Sequence, residues 1–271
     1  MFGNETGASG LFAKEETSGL RGIAFCPVAP SVSGSSPERR SRPDRRAGRA
    51  QGIREDNSSN CPGTRAARRS APDGFGLREL AEDVNGCMDA VGVSRASVFG
   101  ASLGGMLAMH LALAHPERVE ALVLAATTPR LGAEKADMFR PWLRLAEEGK
   151  GEEVCVRMAE AVYSEGFFAK HRNALKFYGR GATAEELRHF VQVARCLREF
   201  DLSGRLGEVR CPVLAVGATG DKLFGAEPAE EIARRTGGEL IVYQGASHAM
   251  YDEEPDFRGR MKAFLDGVAR G

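Results

Sequence analysis

Apolar residues recur at regular spacings from Asp73 to the end of the chain, and hardly at all before it. Leu77, Leu80, Val84, Met88 and Val91 repeat every three or four positions and predict a helix over 77–91. Ala96–Phe99 is a short β-branched and aromatic run that ends in glycine, and Met106–Ala114 reads as a helix closed near His115-Pro116. Val119–Ala126 is an unbroken apolar run, the pattern of a parallel strand buried on both faces. Residues 130–206 hold amphipathic helical patterns and no convincing strand. Val213–Gly217 and Leu240–Tyr243 read as further strands, separated by a helix over Ala226–Thr236 and followed by one over Phe257–Val268. Strand and helix alternate, with one helical block inserted. That order predicts an α/β fold: a mostly parallel sheet with a helical insertion.

Residues 1–72 are of another character. Gly, Ser, Pro, Ala and Arg dominate, and only Gly22–Val28 could make a short strand. Ten arginines between Arg39 and Arg69 face few acids. Such a composition buries too little apolar surface to offset the entropy of ordering the chain. A low-complexity, disordered segment over 1–72 is therefore expected ahead of a domain over 73–271. An out-of-frame translation would give the same composition. The codons of Asn60–Thr64, read from the last base of the Asn60 codon, permit Leu-Pro-Gly-His.

Over the whole chain, 37 lysines and arginines balance 37 acids, which points to neither nucleic acid nor an acidic membrane as partner. The arginine-rich stretch also lacks the interleaved aromatics of a single-strand binder. The six cysteines form no CxxC pair and the five histidines no cluster. Free buried thiols in a reducing cytoplasm are the expectation, with no zinc site and no cofactor. No run is long enough to span a bilayer, and no basic segment leads into an apolar one at the N-terminus.

Chemistry concentrates where strands end. Gly100-Ala101-Ser102-Leu103-Gly104 stands between a predicted strand and a predicted helix, the setting of a GxSxG nucleophile elbow. A tight turn there lifts the Ser102 hydroxyl to the carboxyl edge of the sheet. It also sets the Leu103 N–H at a helix start, where it can stabilise an oxyanion. A serine needs a base. His110 and His115 sit within and at the end of the helix after the elbow, and His171 and His189 in the helical block, all simpler as structural residues. His248 follows a strand and a short loop, which brings it to the same edge as Ser102. Asp221 follows the strand Val213–Gly217 and keeps the order serine, acid, histidine. Asp201 follows a helix instead, and Asp252 and Glu253 come after the histidine. The expected triad is Ser102, Asp221 and His248.

From Phe75 onward the chain resembles the lipase/esterase-type α/β-hydrolase superfamily. The residues that carry the likeness are GASLGGM (Gly100–Met106), AHPERVEALVLAATTPR (Ala114–Arg130), CPVLAVGATGD (Cys211–Asp221) and GASHAMYDEEPDF (Gly245–Phe257). The elbow with its HPERV-like run is similar to small esterases and enol-lactone hydrolases. The resemblance implies cofactor-free hydrolysis of a small ester, lactone or related acyl compound through an acyl-enzyme. It also implies that residues 130–206 form a lid over the acyl site. The family takes its second oxyanion donor from a loop after an early strand, marked by His-Gly. The first histidine here is His110, so that motif is absent as such. Losing one donor costs on the order of 10²–10³ in turnover, which leaves a catalytically impaired or non-catalytic member of the fold as the competing expectation.

Overall fold

The computed structural model describes residues 12–15, 21–25, 76–90 and 92–270. Two strands open it, β1 (Phe12–Glu15) and β2 (Arg21–Phe25). Helix α1 (Leu77–Ala90) leads to β3 (Ala96–Ala101), α2 (Leu103–Ala114) and β4 (Val119–Ala125). A helical insertion follows, made of α3 (Gly132–Ala136), α4 (Arg140–Glu147), α5 (Gly151–Val162), α6 (Glu165–Arg180) and α7 (Ala184–Cys196). The chain then returns as β5 (Val213–Ala218), α8 (Glu227–Thr236), β6 (Glu239–Tyr243), the short α9 (Met250–Glu253) and α10 (Phe257–Val268).

Among the described residues the strands form one sheet in the order β1-β2-β3-β4-β5-β6. β1 runs antiparallel to β2, and every later pair is parallel. Parallel pairing puts the carboxyl ends of β2 to β6 along one edge.

Alternation along the strands divides the core in two. Leu122, Leu124, Val213 and Ala215 pack with α1 (Val84, Met88), α2 (Met106, Leu111) and α8 (Ile232). Ala121, Val123, Leu214 and Val216 pack on the opposite face with Phe257 and Phe264 of α10. Covering both faces is why β4 and β5 read as unbroken apolar runs rather than as alternating ones. At about 25 cal/mol per Å² of apolar surface removed from water, these two layers are the main favourable contribution to folding.

The insertion leaves and rejoins the core at one point. Arg130 and Asp201 form an antiparallel bridge. Leu131 N–H donates to Phe200 C=O (3.0 Å), and Leu202 N–H to Pro129 C=O (2.8 Å). Aside from this bridge, the segment is helical, as its pattern predicts.

The N-terminal expectation needs correcting in part. β2 lies close to the single strand allowed at Gly22–Val28, but β1 was not foreseen. Its four residues show no clear period, and the backbone ladder to β2 (Phe12 opposite Ala24 through Glu15 opposite Arg21) holds it. The arginine-rich run and the Asn60–Thr64 codons lie outside the described residues.

The cysteine expectation also divides. Cys155 and Cys211 are free thiols, but Cys87 is disulfide-bonded. Burial pushes the Cys211 thiol up to about 11, which keeps it protonated and unreactive near neutrality. No helix of the described residues is long and apolar enough to cross a membrane, and no group of histidine, cysteine or acid side chains there could hold a metal.

Candidate active site

Ser102 follows β3 directly and caps the start of α2, with φ 52° and ψ −121°. Positive φ is costly for a residue with a Cβ, on the order of 1–3 kcal/mol, and persists only where the surroundings hold it. Here they do. Ser102 N–H donates to Ala125 C=O on β4 (2.9 Å), and its own C=O accepts from Gly105 N–H (3.0 Å) and from Thr127 Oγ1 (2.7 Å). The turn leaves no room around Gly105, where a Cβ would stand 2.6 Å from the Thr127 side chain. A Gly105→Ala variant is expected to lose about 1–3 kcal/mol of stability, measured by urea unfolding. The outcome hinges on whether Thr127 can shift without releasing the Ser102 carbonyl.

Leu103 is the first residue of α2, so its N–H has no acceptor within the helix. That N–H lies beside the serine at the positive end of the helix dipole.

Asp221 stands three residues past β5 and His248 five past β6, both almost fully buried. His248 Nδ1 lies 2.9 Å from Asp221 Oδ2. A carboxylate only accepts, so the imidazole holds a proton on Nδ1, and in the neutral ring Nε2 is the nitrogen with the free lone pair. The other carboxylate oxygen, Oδ1, accepts from Leu223 N–H (2.8 Å) and Phe224 N–H (3.1 Å). The Phe224 ring meets His248 edge-on at 5.4 Å. Gly220 lets the two loops touch: a Cβ there would stand 2.7 Å from the carbonyls of Gly245 and Ala246. His248 Nε2 is buried and has no hydrogen-bond partner among the described residues, Ser102 Oγ included. The structure thus brings Asp221 and His248 together and sets Ser102 at the same sheet edge, without a hydrogen bond between serine and imidazole.

Four of the set-aside candidates have structural partners. His110 is half-buried against the Phe200 ring, and burial holds its pKa below the usual histidine range. His115 pairs with Glu82 (2.9 Å), and His171 lies on the Phe167 ring. Asp201 accepts from Ser203 N–H and Oγ. Sequence reasoning missed Thr127, Phe224 and the serines that meet Glu253. For Thr127 a signal was present: Thr127-Thr128 directly follows a buried strand at the functional edge. Phe224 and the Glu253 contacts have no such local mark. The loop after β2, where the second oxyanion donor was sought, lies outside the described residues.

Few folds combine a strained serine at a strand–helix turn with a buried Asp–His pair at the same edge of a parallel sheet, and those features point to the α/β-hydrolases. The family model described as alpha/beta hydrolase fold matches residues 54–255, and the chain belongs to that family. It is a hydrolase of the α/β class. Among curated proteins it is similar to "Putative carbamate hydrolase RutD" of Pantoea ananatis (strain LMG 20103), 26% identical over 200 residues, covering 72% of each chain. The protein of that name from Caulobacter sp. (strain K31) is 27% identical over 218 residues, covering 76% of this chain and 79% of the relative. Among solved structures, a hydrolase from Pseudomonas aeruginosa superposes with a TM-score of 0.63 at 27% identity, over 72% of this chain and 74% of that one. The enol-lactonase from Burkholderia xenovorans LB400 superposes with a TM-score of 0.64 at 20% identity, over 73% and 76%, which speaks to the fold alone.

Proposed function

We propose that the protein is a serine hydrolase that cleaves a small ester, lactone or related acyl substrate through an acyl-enzyme on Ser102. The observation that carries this reading is the buried Asp221–His248 pair, whose Nε2 has no hydrogen-bond partner among the described residues, at the same sheet edge as the strained Ser102 turn. In the proposed reaction Ser102 Oγ attacks the acyl carbon while His248 Nε2 takes its proton. Asp221 holds the ring by Nδ1 and stabilises the imidazolium that forms. The Leu103 N–H donates to the oxyanion. The imidazolium then protonates the leaving group, and a water activated by His248 releases the acid. The absent serine–imidazole hydrogen bond does not count against this, because such bonds are often long without substrate. The insertion over 130–206 serves as the lid. No step uses a cofactor.

The relatives' name draws attention to carbamates, whose carbonyl is open to the same attack. Esters and carbamates are therefore both worth presenting to the enzyme. A fluorophosphonate probe tests the mechanism, since it labels only a serine activated by its base. Purified protein should be labelled once, at Ser102, with the adduct located by peptide mapping. An unlabelled protein would mark a non-catalytic member of the fold.

A further inference from the structure

Helix α6, within the insertion, begins at Ser164, whose Oγ accepts from Phe167 N–H (3.2 Å). In a capping box the third helical residue is a glutamate or glutamine that reaches back to the N-cap amide. The neighbouring helix α7 has this arrangement in its own sequence, Thr183 with Glu186. Helix α6 does not: the equivalent position is Phe167, whose ring stacks on Tyr163 at 4.4 Å. Its missing carboxylate comes from a distant segment. Glu253, at the end of α9, accepts from Ser164 N–H at 3.0 Å through Oε1 and from Ser164 Oγ through Oε2.

The same carboxylate has a third partner. Ser247 Oγ donates to Glu253 Oε1 at 2.6 Å and accepts from Ala249 N–H at 3.1 Å. Ser247 and Ala249 flank His248. Ala249 N–H in turn donates to Val162 C=O (3.0 Å), the last residue of α5. Around these bonds Val162, Tyr163, Ala249, Met250 and Tyr251 are all buried in one apolar cluster. The segment bearing His248 is thus fastened to the α5–α6 turn by hydrogen bonds on either side of the histidine.

We propose that Glu253 is a positioning residue, its carboxylate clasping the start of α6 to the His248 loop so that the insertion and the imidazole move as one body. The role assigned to His248 rests on the acyl-enzyme reading above; the clasp itself does not. A local capping residue would secure α6 alone. A carboxylate borrowed from the histidine loop secures both, so displacement of the insertion displaces Nε2.

Hydrogen exchange read by mass spectrometry, on the full chain and on Glu253→Ala and Glu253→Gln, tests the clasp without reference to activity. In Glu253→Ala, exchange over 162–168 and over 245–250 should rise together, each roughly tenfold for the loss of a charged hydrogen bond. The start of α7 should be unchanged. Glutamine keeps an acceptor and restores most of the protection. A rise in only one of the two segments, or in neither, overturns the proposal. If Glu253→Ala does not fold, Ser164→Ala decides: the clasp requires faster exchange over 245–250, and no change there overturns it. A second arm follows fluorophosphonate labelling of Ser102 in the same proteins. The maximal rate should fall roughly tenfold in Glu253→Ala and recover in Glu253→Gln, while the probe concentration at half-saturation stays the same. Labelling of Glu253→Ala at the full rate overturns the effect on the imidazole. An unlabelled parent protein instead refutes the acyl-enzyme reading, and the exchange arm still decides the clasp.

Discussion

Replacing Ser102 with alanine should reduce ester or carbamate turnover by about 10⁶, to what binding and the oxyanion site alone support. The fold should hardly notice. The turn is secured through the Ser102 backbone, to Ala125 and from Gly105, and through the Thr127 hydroxyl on the Ser102 carbonyl. Alanine keeps all of these and the same cost of positive φ. Glycine separates strain from chemistry. Ser102→Gly should be equally inactive yet more stable by about 1 kcal/mol, because φ 52° costs a glycine nothing. Steady-state turnover and urea unfolding of the two variants beside the parent protein check both halves. Turnover in purified Ser102→Ala close to the parent's would refute the acyl-enzyme mechanism.

The second large effect is expected at Asp221. Its Oδ1 accepts two backbone N–H groups, from Leu223 and Phe224, and only Oδ2 faces His248. In Asp221→Asn the amide oxygen must keep the two backbone donors, which turns the NH₂ toward His248 Nδ1. The ring then accepts at Nδ1 and carries its proton on Nε2, the wrong tautomer for taking a proton from serine. A fall of about 10⁴ in turnover follows, smaller than for the serine because the nucleophile and oxyanion donor remain. The hydrogen-bond count is unchanged, so the unfolding midpoint should shift little. An Asp221→Asn protein with the parent's rate would remove Asp221 from the proposed mechanism.

The strands β3 to β5 were legible because burial on both faces writes itself into short apolar runs, β6 from its short apolar run alone, and the elbow because glycines and serine sit together in sequence. Pattern reading stopped three residues short on the helix side: α2 begins at Leu103, not Met106. Leu103-Gly104-Gly105 carries two poor helix formers, and the packing of the turn against Thr127 overrides their propensity. β1 escaped notice for the opposite reason, since its four residues gain regularity only from the partner strand.

For this protein the sequence by itself determined the class of fold, the strand that bears the serine, and the order serine, acid, histidine along the chain. Each is a local matter of period, turn chemistry and position after a strand. What only the tertiary structure decided is which side chains meet. Asp221 and His248 lie 27 residues apart and join at 2.9 Å because parallel β5 and β6 end side by side. Ser164 and Glu253 lie 89 residues apart and join because the insertion folds back over that same edge. Contacts of this kind are made by packing whole elements together. A sequence pattern records each element's own faces, not the neighbour against which each face comes to rest.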